Sequence, residues 1–487
     1  MLDYIIVKRF QNLIRLFFSS AASMLIVSVV FVSTLQAQNA FEDVTESVGL
    51  TGLSGSVAAW GDYNNDGWVD LFVGGQLWKN ETGKRFSKVE IEFPGPGIWG
   101  DFDNDGHLDL FCWSGKGKVF RNLDGKSFED IGAAFPNLPT QVSLGATWGD
   151  FNGDGFLDLY VGGYEVWPDK EFPDVVLLNE GGKQFVQHWK QQTILRARGI
   201  TAADYDRDGD LDIYVSNYRL QPNSLLQNDG HAKFSNVANK LAVDGDGALG
   251  AWGHTIGSAW GDFDNDGNFD LFVGNFSHPP AYQDRPAFLK NLGKAQGFKF
   301  SDQSKLAGLR WQESYASPAV ADYDNDGRLD LFFTTVYDGD KSVLYRNVGD
   351  WKFEDRSANS NVDKPKTYQA AWADFDNDGA VDLVTGGRLM RNMKLASEAN
   401  HWLKVNLNPG PDSNAFGIGT EVRIQLGNET LLRQVEGGTG QGNQNDLGLH
   451  FGLGQYAADV KIQVRWADGK TTVCESGADK IVTVTKE

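Results

Sequence analysis

Seven times the chain sets four oxygen-bearing side chains at fixed places within nine residues. The stretch from Asp101 to Asp109 is the clearest copy. The pattern is Asp, aromatic, Asp or Asn, any residue, Asp, Gly, any residue, apolar residue, Asp. The first set is Asp62, Asn64, Asp66 and Asp70, and the second is Asp101, Asp103, Asp105 and Asp109. Asp150, Asn152, Asp154 and Asp158 follow, then Asp204, Asp206, Asp208 and Asp212. The last three are Asp262, Asp264, Asp266 and Asp270; Asp322, Asp324, Asp326 and Asp330; and Asp374, Asp376, Asp378 and Asp382. Oxygens at places one, three and five of a tight loop converge on one cation. Gly at six permits the turn, seven offers a carbonyl, and nine closes the shell. Hard oxygen donors without Cys or His select Ca²⁺ or Mg²⁺, and a flexible, carboxylate-rich loop favours Ca²⁺. An EF-hand needs Glu at twelve and flanking helices, whereas here the loop runs into alternating sequence such as Leu108-Asp109-Leu110-Phe111. Bare Asp-Gly hairpin turns are the competing reading. Seven copies with the same carboxylate placement argue for up to seven mainly structural Ca²⁺ ions.

No motif for nucleophilic, zinc or phosphate chemistry occurs: no His-Glu-x-x-His, no Gly-x-Ser-x-Gly, no phosphate-binding Gly-rich loop. The seven His residues are scattered. A carboxylate pair for glycan cleavage could still sit among the many acids. A polysaccharide lyase or hydrolase therefore stays as the alternative to a non-enzymatic binding protein.

The elements that must carry these loops recur with them. Loop starts are spaced by 39, 49, 54, 58, 60 and 52 residues, the range of a propeller or solenoid repeat. Before each loop stands a run with small residues, such as Gly145-Ala146-Thr147-Trp148-Gly149, suited to an innermost strand. After it comes an alternating strand, then a strand ending in Asn, then a Gly turn and an aromatic strand, as in Gly125-Lys126-Ser127-Phe128-Glu129-Asp130. Four short antiparallel strands make a blade, so seven repeats predict an all-β, seven-bladed β-propeller over residues 41–395. The seventh repeat lacks its last strand, and Phe41-Glu42-Asp43-Val44 has that missing pattern. The expectation is that the N-terminal segment closes the last blade. From about Asn400 to the end, alternating strands and Gly turns predict a small β-sandwich or barrel.

These units resemble the FG-GAP/VCBS repeats of calcium-bearing β-propellers. The resemblance implies Ca²⁺ between the first two strands of each blade. The phrases Gly417-Ile418-Gly419-Thr420-Glu421-Val422, Gly437-Gly438-Thr439-Gly440 and Leu449-His450-Phe451-Gly452-Leu453-Gly454 resemble the ASPIC/UnbV domain. Together they look like the cartilage acidic protein 1-like family. Ala415 stands where an Arg is usual, and Ala467-Asp468 where Pro-Ser is usual.

In such a blade the loops alternate between faces. The face opposite the acidic loops holds the long connections of blades three to six, and propeller ligands commonly meet loops. Those connections and the neighbouring inter-blade segments supply Tyr164, Trp167, Arg196, Arg198, Tyr218, Arg219, His254, His278, Tyr282, Arg285, Trp311, Tyr315, Tyr337 and Tyr368. Aromatics with Arg and His suit a glycan or an anionic polysaccharide. Packing-down of long loops is the plain alternative. Trp167, Arg198, Tyr218, Arg219, His254, His278, Tyr282, Arg285 and Tyr337 are the candidate ligand residues.

Composition bounds the rest. A net charge of −21 over 487 residues argues against nucleic-acid binding. Much of that charge sits in the loops themselves. Lys8, Arg9 and Arg15 precede an apolar run to about Val32 and small residues near Ala37. Residues 1–37 thus read as a secretory signal peptide, with an uncleaved anchor as the other option. The expected location is secreted, periplasmic or cell-surface, without a membrane span after cleavage. Two Cys, Cys112 and Cys474, make no disulfide framework. The function expected is an exported, calcium-binding, non-enzymatic platform for a glycan or an extracellular protein partner.

Overall fold

The computed structural model describes residues 40–487, apart from 56, 139–141, 169, 246–251, 277–284, 369, 395–399 and 411–412. The leader read at residues 1–37, and the candidates His278 and Tyr282, lie outside the described residues. Strands dominate, with only single-turn helices between them. Seven four-stranded antiparallel sheets follow one another, each a separate blade. The second blade is typical: Gly97–Gly100, Asp109–Cys112, Lys118–Leu123 and Ser127–Asp130, paired in chain order. In every blade the ninth-place Asp begins the second strand, opposite the small residue that ends the first. Gly61↔Asp70, Gly149↔Asp158 and Ala373↔Asp382 are examples. The acidic loop is therefore the tip of the inner hairpin, and its register is fixed by the ladder.

The seventh sheet is built from both ends of the ring. Phe41–Asp43 lies antiparallel to Arg388–Asn392, with Phe41 opposite Asn392. Phe41 is buried and packs on Tyr323 and Trp372. Each innermost strand neighbours those of the blades before and after it, and the first neighbours the seventh. Packing between blades holds the ring. Trp60 donates from Nε1 to Ala371 O of blade seven, and Trp148 to Ile98 O of blade two, both at 3.3 Å.

The C-terminal domain is a two-sheet sandwich. Leu449–Gly454, His401–Asn408 and Lys480–Thr485 form one sheet, the last two strands being parallel. Glu429–Gln434, Glu421–Leu426, Val460–Arg465 and Thr471–Ser476 form the other. Burial alternates as a one-faced strand requires: Val460, Ile462 and Val464 are inside, Lys461 and Gln463 outside. Cys112 is buried, Cys474 is half-buried, and both are free.

The segment from Gln434 to Asp446 joins the two sheets and fills the centre of the propeller. Innermost strands leave one edge of N–H and C=O groups facing the axis, and such edges need partners. This segment supplies them to six blades and meets blade six through the Ser317 hydroxyl. Asn443 Oδ1 accepts from Ala58 N at 3.0 Å, and Gln444 N donates to Ala58 O at 3.0 Å. The Gln444 amide takes both groups of Trp99, at 2.7 and 2.9 Å. Gly437 O accepts from Trp148 N. Gln434 brackets blade four through Ala202 O and Asp204 N. Gly440 N donates to Ser258 O, Gln441 N to Ser317 Oγ, and Asn445 Oδ1 accepts from Trp372 N. Glycine is required here. A Cβ on Gly437 would stand 2.1 Å from Trp148 O, and one on Gly440, at φ +60°, 2.3 Å from Ser317 Oγ. The C-terminal domain is thus the hub of the ring. The central channel, open to ligands in other propellers, is occupied by protein.

Candidate metal centres and ligand face

Each acidic loop is tied by its own carboxylates. In the second, Asp101 accepts from the N–H groups of Asp105 and Gly106, at 3.2 and 2.7 Å. Asp105 accepts from His107 N at 2.9 Å. Asp109 accepts from Phe102 N at 3.0 Å and from Asn122 N at 2.7 Å. The first and fifth places therefore fold the loop, and the ninth anchors it to the blade. In five loops the acids at places one, three and nine present carboxylate oxygens within 4.8 Å of one another. These trios are Asp101/Asp103/Asp109, Asp204/Asp206/Asp212, Asp262/Asp264/Asp270, Asp322/Asp324/Asp330 and Asp374/Asp376/Asp382. The loops beginning at Asp62 and Asp150 have Asn64 and Asn152 at the third place.

A cation fits this geometry because oxygens are left over. Buried Oδ1 atoms of Asn64, Asp103, Asp206, Asp264 and Asp376, all third-place, have no hydrogen-bond partner. Burial also pushes the carboxylates up: Asp101, Asp204, Asp262 and Asp374 to about 7, Asp322 to about 8 and Asp70 to about 9. Such groups are poorly ionised unless a positive charge joins them. A bound Ca²⁺ would supply that charge, held by the third- and ninth-place acids together with those at places one and five.

The protein also brings charge of its own. The residue before the third-strand Asn reaches the loop in five blades. Lys79 meets Asp66 at 3.6 Å, Arg121 meets Asp103 at 2.7 Å, and Lys290 meets Asp266 at 2.8 Å. Arg346 meets Asp326 at 3.0 Å, and Arg391 meets Asp376 at 2.5 Å. Blade three has Leu178 there and also one carboxylate fewer. Blade four has Gln227, which donates to Asp206, and its cation comes from the C-terminal domain: Arg465 Nη1 lies 2.7 Å from Asp204.

Two sets of amides staple neighbouring loops, and neither was assigned a role from sequence. The third-strand Asn donates to the carbonyl of the loop aromatic in the preceding blade. Asn122 reaches Tyr63 O at 2.7 Å, Asn179 reaches Phe102 O at 2.6 Å, and Asn80 reaches Phe375 O at 2.8 Å across the ring closure. Asn228, Asn291, Asn347 and Asn392 repeat the contact. The fourth loop place, read as free, is a left-handed residue with φ between 51° and 72°. Asn65, Asn104, Asn265, Asn325 and Asn377 hold it and donate to the sixth-place Gly carbonyl of the following loop. Arg207 holds it in blade four, and Arg423 of the C-terminal domain donates to Gly267 O in its stead, at 3.3 Å. The regular spacing of Asn before Gly turns was the signal available in the sequence.

On the opposite face, the inner hairpins of blades four and five are longer than the rest: Ala197–Ala203 with Asp212–Asn217, and His254–Gly261 with Asp270–Phe276. Both carry a bulge, and they raise a run of side chains above the ring. Arg219 lies 4.0 Å over the Trp167 ring and pairs with buried Glu165, which also holds Arg196. The Arg198 guanidinium lies 5.7 Å from the Tyr164 ring and 4.8 Å from the Tyr218 ring. Tyr218 stands against His254 and Phe276, and Phe276 stacks on Tyr337. Six of the nine candidate ligand residues thus share one strip. Arg285 is exposed. Of the further aromatics, Trp311 is exposed, whereas Tyr315 is interior, its hydroxyl donating to Arg310 O.

Comparison with known proteins agrees with this architecture. The FG-GAP-like repeat pattern matches residues 101–161, 204–273 and 322–385, and the ASPIC and UnbV pattern matches 410–487. The chain is an FG-GAP-repeat β-propeller with a C-terminal ASPIC and UnbV domain. It is similar to cartilage acidic protein 1 of Xenopus tropicalis, 28% identical over 291 residues. That match covers 56% of this chain and 42% of the Xenopus protein. The Mus musculus protein is 27% identical over 289 residues, with the same coverage. Among solved structures, an Agrocybe aegerita lectin with specific recognition of non-reducing terminal N-acetylglucosamine aligns at TM-score 0.43 and 16% identity. The alignment covers 68% of this chain and 88% of the lectin. BBS1N in complex with ARL6DN aligns at TM-score 0.45 and 11% identity, covering 74% and 99%. Among the described residues no helix is long and apolar enough to cross a membrane.

Proposed function

We propose that this protein is an exported, non-enzymatic binding platform whose acidic loops take structural Ca²⁺ and whose opposite face takes a glycan. The observation that carries the reading is Trp167. Its indole is 63% exposed, yet it is fixed from one side by Arg219. A rigid aromatic plane with one free side stacks on a sugar ring at little entropic cost, and indole is amphipathic enough to wait in water. The buried Glu165 that holds both Arg196 and Arg219 supports a role in positioning. A protein partner is the other ligand that such a surface would accept. Export is supported by the charged, then apolar, then small-residue order of the first forty residues.

The test is a saccharide array probed with the calcium-loaded chain and with Trp167→Ala. Binding that the substitution removes, without release of new reducing ends or unsaturated products, is the expected result. Cleavage of the saccharide overturns the non-enzymatic reading. Binding insensitive to Trp167 overturns the location.

A further inference from the structure

We infer that the ligand of this face is an acidic saccharide, and that Arg198 receives its oxyanion. The inference rests on the reading of the face as a glycan surface and names what that glycan must carry. Arginines beside it are spoken for: Arg196 and Arg219 share Glu165, and Arg196 also pairs with Glu171. Arg198 is different. It makes no hydrogen bond or ion pair with any described residue, and its Nε is buried without a partner. Among the described residues its guanidinium stands against two aromatic rings, 5.7 Å from that of Tyr164 and 4.8 Å from that of Tyr218. Aromatic walls fix the plane of a guanidinium while leaving its N–H edge unused. That edge is shaped for two parallel hydrogen bonds to a carboxylate or sulfate. Its surroundings add to the effect. Among the described residues of the strip, the charges of Arg196 and Arg219 are matched by Glu165 and Glu171, so that of Arg198 is left over.

Trp167 and Arg198 belong to one continuous strip. Arg219 contacts Trp167, Tyr164 interacts with both Arg219 and Arg198, and Tyr218 continues beyond. A saccharide stacked on the free side of Trp167 and running along this strip brings its acidic substituents to Arg198. A neutral chain would leave the guanidinium edge unpaired, forfeiting charge-assisted bonds that such a site is built to make. Uronic acids and sulfate esters both supply the oxyanion, and the experiment separates them.

The experiment is calorimetric titration of the calcium-loaded full chain with three saccharide probes, galacturonate hexamer, a sulfated hexasaccharide and neutral chitohexaose, and with polyglutamate as a peptide polyanion. Wild type, Arg198→Gln, Arg198→Lys and Trp167→Ala are compared, and a melting curve checks that each variant is folded. The expected result is preference for one or both acidic probes over the neutral one. Arg198→Gln should weaken acidic binding about tenfold or more and leave neutral binding unchanged, with Arg198→Lys between. Trp167→Ala should weaken all three. If neutral chitohexaose binds as tightly as the acidic probes, or Arg198→Gln changes nothing while Trp167→Ala does, the acidic assignment fails and the glycan platform stands. If no probe binds, or both substitutions are silent, the platform reading fails and takes this inference with it. Tight binding of polyglutamate and of no saccharide would replace the glycan with an acidic protein segment.

Discussion

At the scale of single residues, the seven third-strand asparagines do more than the acids to unite the ring. Asn122 donates to Leu108 O within its blade and to Tyr63 O in the one before, while its carbonyl accepts from Gly125 N. Replacing it by Ala leaves two buried carbonyls and one half-buried N–H unmet. Asn122→Ala should therefore lose about 2–4 kcal/mol in a denaturant melt with calcium present. Arg207 is an opposite case, a bulky residue in a left-handed position that Asn or Gly fills elsewhere. Arg207→Asn should stabilise the fold by about 1 kcal/mol, read as a higher melting midpoint. The sequence displayed the fourth-place asparagines plainly, but their meaning lies in a positive φ and in a carbonyl one blade away. Neither is a property of nine consecutive residues. The convergence of the carboxylates at places one, three and nine, seen in five loops, was legible because a tight loop carries its own geometry.

At the scale of elements, the periodic parts were readable and the singular parts were not. Strand order within a blade follows from seven repetitions. The outer strand at Phe41 was visible because the last repeat lacked one. Deleting Phe41 to Val44 removes a buried Phe and a whole strand from blade seven. A fall in melting temperature of roughly 10 °C or more is expected by calorimetry. The hub segment reads locally as a Gly-rich turn, and only the assembled ring reveals that it reaches every blade. Its Glu436 faces a partly open cavity of about 110 Å³ between the ring and the sandwich. Burial pushes this carboxyl up to about 8 from an ordinary 4.5, against the pull of hydrogen bonds from Asn445 and Thr439. The folded state keeps the proton that the unfolded chain releases. This contribution is complete below pH 4.5, declines as pH rises, and is gone above about 8. Glu436→Gln should flatten that part of the melting-temperature profile between pH 5 and 8.

At the scale of the whole molecule, cations and the C-terminal domain act on one structure. Arg465 and Arg423 enter blade four and its neighbour where the ring's own basic residue and asparagine are missing. The C-terminal domain is thereby part of the face that carries the acidic loops. Chelation should loosen ring and sandwich together. A single calorimetric transition, moved down by on the order of 10 °C in excess chelator and restored by Ca²⁺, is the expected outcome. Two separated transitions in chelator would instead mean that the sandwich docks without help from the loops.

The filled hub has a kinetic side. Ala58 is held by Asn443, a partner 385 residues further along, and Trp60 and Trp99 wait on Gln444. Blades assemble from near neighbours, but the axis cannot be finished until almost the whole chain exists. Contacts of such sequence separation carry a large loop-closure cost and slow the last stage of folding. The final event in the life of the nascent protein is thus the threading of a glycine-rich segment into a nearly finished ring. Until then seven strand edges stand open to any other chain that meets them.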